Sequence, residues 1–275
     1  MKQLDVSSTQ YSIQNAYILA QLSKIAYQSK EGATNALKNT GFELVESFSK
    51  NHTQAMIITS KNSIIVAFRG TSSVNDLIDD FKIELVPFTG DTKVHLGFKE
   101  GVDAIYTELF KRLSSLLDGK KTFWITGHSL GAAEATLFNL KLRMDHDLGA
   151  LGCYTYGAPR LGDKKFEKLY TNYHASFTFR HVNGNDIVTR IPPRIMGYRH
   201  VGKFQYFDVD GKLQEDPKFW QLFKDRVKDI WRSCKNWRQL ESLKDHKIDN
   251  YLAAIKTNLP SKVSSGQEKA TALSP

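Results

Sequence analysis

The sequence has few cysteines, no long apolar run and no block of like charges. Its two cysteines, Cys153 and Cys234, cannot form a disulfide framework and lack the paired spacing of a zinc site. The apolar runs, such as 16–20 and 64–68, are far shorter than the ~20 residues that a membrane-spanning helix needs. The first residues, Met1 to Asp5, lack the apolar stretch of a secretory signal. These features lead us to expect a cytoplasmic location, or one peripheral to a membrane.

The net charge is strongly positive, with 38 Lys and Arg against 29 Asp and Glu, which gives +9. Such an excess attracts anionic partners. The basic residues are scattered, however, so we interpret them mainly as solvated surface and expect no nucleic-acid partner. The 275 residues, of which 41% are hydrophobic, suit one large domain, which we place at 1–259. Residues 260–275 are poor in large apolar side chains and are predicted to be a disordered tail.

Strand-like runs alternate with helical repeats along the chain. Helices are predicted over 12–27, 98–117, 129–144 and 164–170, and strands over 42–48, 55–59, 63–68, 122–126, 151–156, 177–182 and 203–209. Short connections between alternating strands and helices predict an α/β fold, in which a mostly parallel central sheet carries helices on both faces.

The strongest local motif is a G-x-S-x-G pentapeptide, which runs from Gly127 to Gly131. It lies between a predicted strand and a predicted helix, and this context is typical of a nucleophilic serine on a sharp turn. The flanking glycines avoid side-chain clashes, and the turn holds the hydroxyl of Ser129 near the positive end of the helix. We therefore predict that Ser129 is a nucleophile.

A serine hydroxyl needs a base to take its proton, and in this architecture an acid and then a histidine follow the serine along the chain. Asp186 is the favoured acid because it lies just past a predicted strand, whereas Asp163 is placed to cap a helix. Two histidines follow Asp186. Both His200 and His246 remain candidates for the base on residue order alone, with His246 preferred.

Several short blocks together resemble the class 3 (fungal-type) lipases, which have the α/β-hydrolase fold. In order, these blocks are 68–71, 94–98, 127–131, 156–162, 180–188, 198–202 and 245–246 ahead of 250–251. The resemblance implies a triad of Ser129, Asp186 and His246, which leaves His200 with a structural role. It also implies that the backbone N–H groups of Thr71 and Leu130 form the oxyanion hole.

The resemblance implies a serine carboxylic-ester hydrolase that cleaves acylglycerol-type lipids through an acyl-enzyme intermediate, with no metal or organic cofactor. Its partners would be the lipid ester substrate and, transiently, a lipid or membrane interface. A phospholipase or galactolipase of the same fold is the alternative within this chemistry. A non-catalytic lipase-like interaction protein is the alternative outside it, and it is disfavoured because every expected catalytic position is filled.

Two amphipathic segments complete the expectations. Residues 72–81 follow the predicted oxyanion strand and place apolar side chains on one helical face, which suits either a lid helix or a permanent surface helix. Residues 219–240 hold three of the four tryptophans among basic residues. This second segment is compatible with core packing, with a cap over the acyl site or with a helix lying in a membrane interface.

Overall fold

A computed structural model of the chain describes residues 1–7, 10–71, 84–184, 186–215 and 245–260. The predicted lid helix at 72–81 and the amphipathic segment at 219–240 lie outside the described residues, as does the predicted tail from residue 261 onward. These three predictions therefore stay predictions.

A long sheet forms the centre of the fold. The strands are β1 (Phe42–Lys50), β2 (Thr53–Ser60), β3 (Ser63–Phe68), β4 (Leu85–Pro87), β5 (Lys93–His95), β6 (Thr122–His128), β7 (Gly152–Tyr156), β8 (Thr178–Asn183), β9 (Lys203–Phe207) and β10 (Leu213–Glu215). Eight of them form one sheet in the order β1-β2-β3-β6-β7-β8-β9-β10, and β4 and β5 form a separate antiparallel pair. The strands from β3 to β9 in this sheet are parallel, whereas β1, β2 and β10 pair antiparallel at the two edges.

Helices cover both faces of the sheet. They are α1 (Ile13–Ile25), α2 (Lys30–Leu37), α3 (Leu96–Ser114), α4 (Leu130–His146), α5 (Lys164–His174) and α6 (Ile248–Thr257). The apolar residues of α3, α4 and α5 belong to one core, and those of α1, α2 and α6 belong to the other. In the described parts of the chain, no helix combines the length and apolar character that crossing a membrane would take.

Strand β3 shows why the sequence folds in this way. Ile64 and Val66 enter the core under α3 and α4, whereas Ile65 and Ala67 enter the core under α1. A strand that is buried on both faces needs a continuous apolar run, because successive side chains point to opposite sides. The predicted α/β fold, with a mostly parallel central sheet and helices on both faces, is confirmed.

The sequence analysis did not predict α2, the β4–β5 pair or β10. Helix α2 buries only Ala33 and Leu37 and contains Gly32, so its apolar pattern is weak. Its start depends on Ser29, whose side chain accepts a hydrogen bond from the backbone N–H of Gly32. Strands β4, β5 and β10 are three residues long, which is too short to show a period of two.

A carboxyl group is buried beneath the sheet in α4. Glu134 is 1% exposed, and its Oε1 accepts a hydrogen bond from the hydroxyl of Thr53 in β2. Its Oε2 has no hydrogen-bond partner within the described residues. Burial raises the pKa of Glu134 to about 8, and the hydrogen bond from Thr53 offsets part of this rise. The carboxyl group is therefore neutral in the folded protein at pH 7, although it ionises in the unfolded chain.

This burial predicts a pH-dependent stability. The contribution of protonated Glu134 is complete below its ordinary pKa of 4.5 and is lost as the pH rises toward about 8. Glu134→Gln keeps a neutral group of similar shape, so it should flatten the decline in the free energy of unfolding over this range. Urea unfolding at several pH values measures the effect, with the exposed Glu100→Gln as the control. A stability difference between wild type and Glu134→Gln that is constant with pH would contradict the prediction.

Candidate active site

Ser129 occupies the turn between β6 and α4. Its backbone has a φ of 59° and a ψ of −129°, a strained conformation for a residue with a side chain. The backbone N–H of Ser129 donates to the carbonyl oxygen of Tyr156 in β7 at 2.9 Å, which fixes the turn to the sheet. Close packing follows on the other side, because a Cβ at Gly131 would lie 2.6 Å from the carbonyl oxygen of Arg69. The strained turn thus holds the hydroxyl at the carboxyl edge of the parallel strands.

Three side chains from distant parts of the chain meet at this edge. His246 Nε2 lies 2.8 Å from Ser129 Oγ, and His246 Nδ1 lies 2.9 Å and 3.0 Å from the two carboxylate oxygens of Asp186. Ser129 and Asp186 are 0% exposed and His246 is 1% exposed. A carboxylate only accepts hydrogen bonds, so Nδ1 carries the proton. The lone pair of Nε2 is therefore directed at the serine hydroxyl, as a general base requires.

Further hydrogen bonds orient the carboxylate of Asp186. The hydroxyl of Tyr251 donates to Oδ2 at 2.6 Å, and the backbone N–H of Val188 donates to Oδ1 at 2.9 Å. Burial and the negative charge of Asp186 raise the pKa of Tyr251 well above its ordinary value. Tyr251 consequently remains a hydrogen-bond donor and holds the carboxylate in the plane that His246 requires.

The backbone of His246 is held by a second histidine. His128 Nε2 lies 2.7 Å from the carbonyl oxygen of His246, and His128 Nδ1 lies 2.7 Å from the hydroxyl of Tyr27. Burial and the neighbouring His246 lower the pKa of His128 to about 3, so its ring is neutral. A carbonyl oxygen only accepts, so His128 donates from Nε2 and accepts at Nδ1 from Tyr27. The hydrogen bonds from Tyr27 to His128 and from His128 to the backbone of His246 thus position His246 without placing a positive charge beside it.

The two predicted oxyanion donors belong to two segments that lie next to the serine. Leu130 is the first residue of α4 and is half-buried. Thr71 follows Gly70 after the end of β3 and is also half-buried. Gly70 packs directly on the nucleophile, since a Cβ there would lie 2.9 Å from the Cβ of Ser129. The structure thus brings the backbone of both segments next to the serine.

Asp163, the alternative acid, and His200, the alternative base, both make structural contacts away from Ser129. Asp163 caps α5, where its side chain accepts a hydrogen bond from the backbone N–H of Phe166 at 2.8 Å. His200 Nε2 donates to the carbonyl oxygen of Thr189 at 2.8 Å. The hydroxyl of Thr189 in turn donates to the backbone carbonyl of Asp186 at 2.8 Å. His200 therefore contacts the loop that carries Asp186.

Sequence reasoning assigned no role to Tyr27, His128, Gly157 and Tyr251. Gly157 directly follows β7 with a φ of 62°, and a Cβ there would lie 2.9 Å from Asp186 Oδ2 and 2.9 Å from His246 Cε1. The signal for Gly157 is a glycine at the end of a strand next to the serine turn. Only the fold reveals Tyr27, because 101 positions separate it from its hydrogen-bond partner His128 (128 − 27).

The fold and the site define an α/β-hydrolase scaffold with a Ser–His–Asp centre. The sequence pattern of the lipase (class 3) family matches residues 65–196. Secreted mono- and diacylglycerol lipase 1 of Fusarium solani is 34% identical over 167 residues, which cover 57% of this chain and 47% of that protein. A lipase of Rhizomucor miehei is 35% identical over 170 residues, which cover 58% of this chain and 46% of that protein. Residues 65–196 of this chain are thus similar to the class 3 lipase family.

A solved structure agrees with this similarity. The triacylglyceride lipase of Rhizomucor miehei matches the fold with a TM-score of 0.67 and 26% identity, over 74% of this chain and 83% of that one. The chain spans about half the length of the two curated relatives described above, 47% and 46%.

The expectation of a cytoplasmic or membrane-peripheral location is contradicted by the relatives. The Fusarium solani protein is named as a secreted lipase, which points to an extracellular location. The expectation relied on the composition of the first residues and on the low cysteine count. Neither property fixes the compartment. The low cysteine count does not, because a fold with two large apolar cores can be stable without disulfides.

Gly157 provides a test of the site geometry. Gly157→Ala should lower kcat by at least about tenfold, because its methyl group would displace the paired side chains of Asp186 and His246, and small misplacements are costly in catalysis. Gly90→Ala is a matched control, since Gly90 has a similar φ of 56° and nothing within 4 Å of an added Cβ. Both variants carry the backbone strain of a positive φ, but only the first has the collision. Equal ester turnover by the two variants would argue against the geometry.

Proposed function

We propose that the protein is a serine carboxylic-ester hydrolase that cleaves the acyl esters of acylglycerol-type lipids. The observation that carries the proposal is the continuous line from Ser129 Oγ through the ring of His246 to the carboxylate of Asp186. A solved triacylglycerol lipase with 26% identity and a TM-score of 0.67 is described as having a serine protease triad as its catalytic centre. We assign the corresponding roles to the three residues of this chain.

In the first half of the reaction, Ser129 Oγ attacks the carbonyl carbon of the ester while Nε2 of His246 takes the hydroxyl proton. The carbonyl oxygen becomes an oxyanion, to which the backbone N–H groups of Thr71 and Leu130 donate. Because these donors are fixed before the charge develops, each is worth on the order of 10²–10³ in rate. Asp186 stabilises the imidazolium through Nδ1–H, and Tyr251 keeps its carboxylate in place.

In the second half, the intermediate collapses and His246 gives its proton to the leaving alcohol. Water then attacks the acyl-enzyme while His246 takes a proton from the water. The bond between the acyl carbon and Ser129 Oγ breaks, His246 returns the proton to Ser129 Oγ, and the fatty acid leaves. The protons are carried by side chains throughout, so the mechanism that we propose needs no metal or organic cofactor. A neutral His128 favours this cycle, because a second positive charge next to His246 would oppose formation of the imidazolium.

The substrate class is inferred from the relatives. The Fusarium solani relative is named as a mono- and diacylglycerol lipase, and the solved relatives include triacylglycerol lipases. We propose that the ester substrate of this protein is likewise an acylglycerol, which it meets at a lipid–water interface. A panel of mono-, di- and triacylglycerols with phosphatidylcholine and galactolipid, each offered as an emulsion, measures this preference directly. Faster release of fatty acid from phosphatidylcholine or galactolipid would replace the acylglycerol proposal.

Ser129→Ala should lower the turnover of a p-nitrophenyl ester by about 10⁴-fold or more, because it removes the only group that can form the acyl-enzyme. The same variant should fail to react with a fluorophosphonate probe. The control is Ser114→Ala, which changes an exposed serine at the end of α3. Residual turnover within about tenfold of wild type would rule out Ser129 as the nucleophile.

A further inference from the structure

The loop that follows Asp186 carries the most exposed large apolar side chain described. Ile195 is 95% exposed and Met196 is 48% exposed, and the two follow exposed Pro193 and Arg194. We call Ile195 and Met196 the apolar tip. An isolated exposed leucine or isoleucine is ordinary, but two adjacent apolar residues at the end of a loop suit burial against something outside the molecule.

Four arginines lie on or beside the loop that carries the apolar tip and are together called the arginine cluster: Arg160, Arg190, Arg194 and Arg199. Arg160 Nη1 donates to the carbonyl oxygens of Arg190 and, at 2.9 Å, of Pro192. Arg199 Nη1 donates to the carbonyl oxygen of Arg194 at 3.0 Å. These bonds tie the side chains of Arg160 and Arg199 to the backbone of the loop.

The charges of the arginine cluster act on one another. Burial and then the positive charges of Arg194, Arg199 and Arg190 lower the pKa of Arg160. Across the described residues, no carboxylate lies within the 4.0 Å ion-pair distance of Arg160, Arg194 or Arg199. Within the described residues, the positive charges of Arg160, Arg194 and Arg199 are therefore not offset by an ion pair.

The apolar tip belongs to a loop that begins at the active-site edge of the sheet. Asp186 follows the carboxyl end of β8, and Ile195 is nine positions further along the same loop (195 − 186). Arg160 similarly follows the carboxyl end of β7, three positions after Gly157 (160 − 157). The backbone N–H of Arg160 donates to the carbonyl oxygen of Ile191 at 2.8 Å, which joins this loop to the segment that follows β7.

We propose that the apolar tip and the arginine cluster form a docking surface for anionic lipid, in which Ile195 and Met196 enter the acyl region while the arginines bind lipid phosphates. Guanidinium groups form paired hydrogen bonds with phosphate oxygens, and apolar side chains gain from leaving water. Because the apolar tip and the arginine cluster lie on or beside one loop, they favour a lipid surface over nucleic acid. Nucleic acid would bind the arginines but leave the apolar tip in water. This proposal rests on the proposed function, since the docked surface would supply the ester substrate.

Vesicle co-sedimentation tests the proposal. The Ser129→Ala protein is used as the background so that the lipid stays intact, with vesicles of phosphatidylcholine alone or mixed with phosphatidylserine. Ile195→Ser should weaken binding to both vesicles by about tenfold. Arg194→Gln should weaken binding only to the anionic vesicles, by about fivefold, because each basic residue near such a surface contributes about that factor. High salt should reduce the difference between the two vesicles.

Lys111→Gln is the matched control, because it removes one positive charge from an exposed position near the far end of α3, 15 residues from the start of that helix (111 − 96). Equal binding by Arg194→Gln and Lys111→Gln, or equal affinity of the background protein for both vesicles, would overturn the proposal. So would dimerisation of the background protein that Ile195→Ser abolishes, since the tip would then contact a second copy. Turnover of a soluble p-nitrophenyl ester by wild type separately tests the proposed function. Docking without turnover would refute the enzyme assignment alone.

Discussion

The hydrogen bond between His246 Nδ1–H and the carboxylate of Asp186 is the interaction around which the site is built. It decides which ring nitrogen carries the proton and therefore leaves Nε2 free to face Ser129. Tyr251 orients the acceptor, and His128 fixes the backbone of the donor. All of these groups are buried, so the hydrogen bonds act in a medium of low dielectric constant, where correct geometry has the greatest effect.

The parallel sheet makes this interaction possible. The turn after β6, the loop after β8 and the segment before α6 contribute the serine, the acid and the histidine, and they converge because parallel strands end at one edge. A side chain at Gly157, which follows the strand between β6 and β8, would occupy the space between the acid and the histidine. The sheet register therefore determines the alignment of the three groups as well as their proximity.

The central strands and the serine turn were predictable because their signals are local. The apolar run of β3 and the pentapeptide around Ser129 each report a nearby physical constraint: burial on both faces and a strained turn. Residue order alone left both His200 and His246 as candidates for the general base. A histidine in a loop has no local sequence signature that distinguishes a catalytic base from a residue with a structural role. Tyr27 and His128 could not be assigned either, since their roles depend on α1 packing against β6. Helix α2 and the three-residue strands were missed because their apolar patterns are too short.

The loop from Asp186 to Arg199 joins the triad to the exposed surface, and its anchoring has a mechanical consequence. His200 donates a hydrogen bond to the carbonyl oxygen of Thr189, and Arg160 donates to the carbonyl oxygens of Arg190 and Pro192. These hydrogen bonds hold loop positions that lie between Asp186 and Ile195 in the sequence. They therefore separate the exposed end of the loop from the catalytic carboxylate. A displacement of the outer end of the loop should be resisted by these hydrogen bonds before it moves Asp186. Substitutions at the outer end should consequently leave the position of the carboxylate unchanged.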